Sequence, residues 1–160
     1  MKENVMDVLM FLFDNYLVME DGGAYHDETT LTTELKEAGF ESNNIAKAFN
    51  WLEDLAGMRP FDMISTEGKR HSFRIYTAEE KAKIDPDSRG FLLGLEQMGI
   101  LDVPCREMII DRAMAIDGAM IRLPQFKRIV GIILINRHDH EAVIAYLEDL
   151  IYDDVPTILH

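Results

Sequence analysis

His138-Asp139-His140 sets two imidazoles around one carboxylate, a spacing that in a loop can turn both rings toward one ion. A protein metal site takes three or four ligands, and the other histidines, His26, His71 and His160, stand far away in sequence. We therefore expect no metal and no cofactor, and read the stretch as a polar loop capping a final helix. Cys105 is the single thiol. Beside Arg106 and near a helix start its pKa would fall, as a catalytic thiolate needs. A free cysteine is more often a small apolar residue of the interior, and that is the reading taken. One cysteine also excludes an internal disulfide, which suits a reducing cytoplasm. The neighbouring carboxylates Glu79-Glu80, Glu148-Asp149 and Asp153-Asp154 point about 100° apart where they lie on helices. They do not converge as an acid and base must. With no nucleophile elbow, phosphate loop or dinucleotide fingerprint in the sequence, no enzyme is expected.

Other side chains suit recognition. Asn43, Asn44, Lys47 and Asn50 fall on the polar face of one amphipathic helix, with Trp51 one step off its apolar stripe. Amide side chains pair well with adenine edges. Lys69, Arg70, His71 and then Arg74 gather the positive charge of a predicted hairpin tip, which would meet phosphates if nucleic acid binds and otherwise keeps an exposed hairpin edge soluble. Overall charge argues the other way. Twenty-nine acids against sixteen bases leave −13, and residues 1–57 hold twelve acids and three bases, a net of −9. Such a field repels phosphate backbones and acidic membrane surfaces and favours basic protein partners, although charge of this size also serves solubility alone.

The elements that would carry these residues are mostly helical. Val5 to Met19 is apolar except at Asp7 and Asp14, which suits a central helix. Asp21-Gly22-Gly23 marks a turn, and a helix over 28–38 ends at Gly39, where a left-handed residue is wanted. Ser42-Asn43-Asn44 offers capping side chains for a helix through Ala56. Ile45, Ala48, Phe49, Leu52 and Leu55 form its apolar stripe and leave Trp51 at the border, against the hairpin. Residues 60–77 alternate around Gly68 and predict a β-hairpin. Helices then follow at 77–85, 88–98, 102–116, 124–136 and 140–152, with Asp102, Arg106, Glu107, Asp111 and Arg112 forming either a solvated face or a partner-docking one, which the sequence does not separate. The longest apolar run, Ile129 to Ile135, falls well short of the 20 or so residues that cross a bilayer.

The fold class predicted is mainly α, with a winged-helix-like half over residues 1–77 carrying one β-hairpin and a helical half over 78–160 packed on it. The function expected is a non-enzymatic adaptor or regulator in the cytoplasm that binds another protein through an acidic surface. The alternative is a winged-helix nucleic-acid binder that uses the hairpin and the third helix.

Several blocks of the sequence resemble one family. They are residues 6–13, 37–40 and 48–55, then Arg74-Ile75-Tyr76-Thr77, Ser88-Arg89-Gly90-Phe91-Leu92-Leu93, Leu95-Glu96-Gln97, the run from Arg106 to Arg112, and the closing Leu159-His160. On these the sequence is similar to the Smg family, bacterial proteins of uncharacterised function. The resemblance brings no catalytic or binding residues with it. Genes of that family often lie beside the gene for a DNA-processing protein, which implies a link to nucleic-acid metabolism.

Overall fold

The computed structural model describes residues 4–17, 28–58, 75–97, 101–118 and 120–137. The apolar start forms α1, Val5–Leu12, opened by the Asn4 side chain, which accepts from the Asp7 amide at 2.9 Å. It runs on into a π-helical turn, Phe13–Leu17, inside which Asn15 donates to the Phe11 carbonyl. Val5, Met6, Val8, Leu9, Leu12 and Phe13 are all buried. The helix is wrapped because α3, Ser42–Gly57, packs on one side of it and α7, Leu123–Arg137, on another.

Helix α2, Glu28–Glu37, ends at Gly39 with φ of 104°. The Phe40 amide donates to the Leu35 carbonyl and the Gly39 amide to that of Lys36, a Schellman closure. Phe40 and Leu35 are both buried. Helix α3 spans Ser42–Gly57. Its N-cap is Glu41, whose side chain makes no capping bond, and Ser42 is the first helical residue rather than the cap. The core-facing residues are Ile45, Ala48, Trp51 and Leu55, whereas Phe49 and Leu52 are only half-buried.

The winged-helix-like expectation needs correction. Among the described residues there are seven α-helices and no strand. Most of the predicted hairpin, residues 60–74, lies outside the described residues. Its described end, residues 75–77, carries no strand pairing, and Ile75 is 85% exposed. A strand needs a partner along its edge as well as an alternating pattern, and Ile75-Tyr76-Thr77 leads directly into a helix instead. The mainly α class holds without the wing.

The second half follows its caps closely. Thr77 and Glu80 form a reciprocal capping box for α4, Ala78–Lys83. Asp85 accepts from the Ser88 amide at 2.8 Å to start α5, Pro86–Gln97, with Pro86 in the first turn, where a missing amide proton costs nothing. Asp102 does the same for the Cys105 amide at the head of α6, Val103–Met114. After Gly118, with φ of 127°, Ile121 meets Ile84 in an isolated parallel bridge, and α7 follows over Leu123–Arg137. Ile129 to Ile135 is buried on every side. One apolar cluster takes in side chains from Val5 to Ile135, with α7 against α1, α5 and α6. The helix expected over 140–152 lies outside the described residues. Among the described residues no helix is long and apolar enough to cross a membrane.

Candidate functional site

Among the described residues, two clefts gather polar side chains. The first lies between α3 and α6. Trp51, at the centre of α3's buried face, donates from Nε1 to the Arg112 carbonyl at 2.9 Å, and Arg112 returns a long contact from Nη1 to the Trp51 carbonyl at 3.5 Å. The Arg112 guanidinium sits 5.7 Å from the indole centroid, and its Nη2 pairs with Asp111 at 3.2 Å. A shallow cleft of about 230 Å³ opens beside this clasp, lined among others by Lys47, Asn50, Asp54, Arg112 and Asp117. Lys47 and Asp117 approach to 3.8 Å while largely in water, where such a pair adds little.

Of the residues expected to recognise a partner, Asn43, Lys47 and Asn50 are exposed along α3 and Asn44 is half-buried. Trp51 is 4% exposed. It packs, as a lone tryptophan beside a stripe tends to, but against α6. Lys69, Arg70 and Arg74 lie outside the described residues, as do His138 and His140. Among the described residues no group of three histidine, cysteine or carboxylate side chains could hold a metal ion. Cys105 is buried in the core.

The charges on α6 divide: Asp102 and Asp111 are exposed, whereas Arg106 is turned inward. Arg106 is 7% exposed and bridges two carboxylates, Glu96 on α5 through Nη1 at 2.6 Å and Glu107 through Nε at 2.9 Å. Leaving Arg106 without these partners would strand a charge in the interior. The sequence carries a signal for this: Arg106 stands three and four residues before Ile109 and Ile110, on their face of the helix. Lys83, at the end of α4, donates to the Gly118 carbonyl at 2.9 Å. Its pKa is lowered from the ordinary 10.5 by partial burial, with the Asp117 charge pulling the other way.

The second cleft, about 190 Å³, lies where the segment entering α4 meets α5 and α6. Tyr76, Arg89, Leu92, Leu93, Glu96 and Arg106 line it. On α5 these fall at i, i+3, i+4 and i+7, a single helical face. Arg89 is anchored through Nε to the Ile84 carbonyl at 3.1 Å and lies 5.8 Å from the Tyr76 ring centroid.

Comparison with known proteins decides the family. Residues 5–160 match a family described as "Protein of unknown function (DUF494)". The sequence is 44% identical over 160 residues to a Protein Smg homolog of Nitrosococcus oceani, with both proteins fully covered. The chain belongs to the Smg family. Smg homologues of Thioalkalivibrio sulfidiphilus and Methylococcus capsulatus are 44% and 42% identical, again over the full length of both partners. No solved structure matches the chain. Every residue lining the α5–α6 cleft falls in one of the blocks that carry the Smg resemblance, and the α3–α6 cleft draws on those blocks only in part.

Proposed function

We propose that this Smg-family protein is a non-enzymatic, cytoplasmic adaptor or regulator that docks on another protein through the acidic outer surface of α2 and α3. The observation that supports this reading is the distribution of exposed charge there. Glu28, Glu37, Glu41, Glu53 and Asp54 are all exposed, against Lys36 and Lys47 on the same helices. Lys47 is in turn drawn to Asp117. A surface of this sign steers a basic partner and speeds its encounter, and the same sign opposes phosphate backbones.

The test is affinity purification from the native bacterium with nuclease-treated controls, comparing the wild type with Glu53→Lys/Asp54→Lys. Both residues are exposed on α3, so the double variant is expected to fold as the wild type does. Its partner should be lost or weakened about tenfold or more, with the on-rate most affected. A partner retained at full strength by the folded variant sinks the acidic-surface reading.

A further inference from the structure

We infer that the α5–α6 cleft is a second docking site, which seats one large apolar side chain of a partner protein segment and pairs an adjacent Asp or Glu of that segment with Arg89. The inference does not depend on the acidic face of α2 and α3, and it requires the opposite charge in its occupant.

Size comes first. A cleft of about 190 Å³ is smaller than the roughly 300–1,000 Å³ typical of small-molecule sites, and matches a single leucine, methionine or phenylalanine side chain. Its rim is apolar. Ile75 and Leu93 are two of the three large apolar side chains exposed among the described residues. Leu93 lines the cleft, and Ile75 precedes the lining residue Tyr76. Scattered surface leucines need no explanation, but Leu93 borders a recess that also contains an arginine held in place.

The two arginines of the cleft differ in what they can offer. Arg106 is committed, its charge matched by Glu96 and Glu107, so it forms a rigid wall. Arg89 is fixed at Nε by the Ile84 carbonyl and lies near the Tyr76 ring. Neither of its terminal nitrogens has a hydrogen-bond partner among the described residues. A guanidinium positioned this way presents a fork suited to a carboxylate, and little freedom remains to be lost on binding. Charge complementarity therefore specifies an acidic residue beside the apolar anchor.

The experiment selects random peptides of about twelve residues displayed on phage against the full-length protein, with parallel selections on Leu93→Asp and Arg89→Glu. Circular dichroism and unfolding midpoints first verify that each variant folds. The expected outcome is enrichment on the wild type of peptides with a large apolar residue within two positions of Asp or Glu. Their affinity should fall roughly tenfold or more on Leu93→Asp and on Arg89→Glu, and stay unchanged on Glu53→Lys/Asp54→Lys. Gly90→Leu gives an independent block. Gly90 lines the cleft and a Cβ there meets nothing within 4 Å, so the fold should accept the larger residue while the peptides lose their seat. The inference is overturned if no peptide enriches on the wild type over Leu93→Asp, or if enriched peptides bind Arg89→Glu or Gly90→Leu as tightly as the wild type. Enrichment of basic peptides alone, lost on Glu53→Lys/Asp54→Lys and kept on Arg89→Glu, would also overturn it, while supporting the acidic-face reading.

Discussion

Trp51 shows what one side chain can hold and how much of its role a sequence reveals. Its indole nitrogen reaches the Arg112 carbonyl at 2.9 Å, and the arginine side chain folds back over the ring, so α3 and α6 are joined at one point. Trp51→Phe keeps most of the buried area but leaves the Arg112 carbonyl without this donor, a loss expected to cost about 1–2 kcal/mol. Trp51→Ala should cost about 3–5 kcal/mol, comparable to much of the stability of a domain this size. Urea unfolding curves check both, and a Trp51→Phe curve that overlays the wild type would show that the bond contributes nothing. Because Trp51 is the only tryptophan, its fluorescence also reports directly on the clasp and should shift to the red on unfolding. Periodicity alone revealed Ile45, Ala48 and Leu55 as core. It ranked Phe49 and Leu52 above Trp51 because it assumes one buried face. Here α1 and α2 cover one side of α3 and α6 reaches another, so the buried arc is turned toward Trp51. No pattern within α3 encodes that second neighbour.

At the scale of elements, the ends of helices were the most legible features, because a cap is a local match between orphan amides and a nearby side chain. Thr77 with Glu80, Asp102 and Gly39 all act as their types suggest. Glu41 caps α3 by position alone, and the alternating run at 72–76 yields no strand in its described part, since an alternating pattern does not by itself supply a paired partner. The head of α5 carries a further consequence. Asp85 accepts from the Ser88 amide, yet the Ser88 hydroxyl is fully buried and has no hydrogen-bond partner among the described residues. A buried hydroxyl without a partner costs about 1–3 kcal/mol in lost hydration. Ser88→Ala should therefore raise stability, by about 1 kcal/mol, with the Asp85 cap intact. Thermal and denaturant unfolding of that variant decide the point, and a loss of about 1 kcal/mol or more would mean that the hydroxyl bonds a neighbour.

For the whole molecule, the mainly α class follows from the sequence because the seven helices among the described residues are short amphipathic or apolar segments that each carry their own signal. The packing of α7 against α1 does not, because two nearly all-apolar helices can pair in many ways, and only the full set of neighbours selects one. Ion pairs such as Arg128 with Asp14, which joins residues 114 positions apart at 2.9 Å, are likewise consequences of that packing and not guides to it. Net charge is the one global property that needs no fold, and it supports the last prediction. A protein at −13 must bring its few basic groups to a duplex against its own field, and several of those are already used. Arg106 and Arg112 are turned into helix contacts, and Arg128 is paired with Asp14. DNA binders neutralise several phosphates and gain a large share of their affinity from released counterions. This protein should therefore bind random and genomic duplexes more weakly than about 1 μM at physiological salt. A fluorescence anisotropy titration at two or more salt concentrations reads the result. Binding tighter than that, weakening steeply as salt rises, would mean that a basic surface overcomes the global field, and the protein-adaptor reading would give way to a nucleic-acid one.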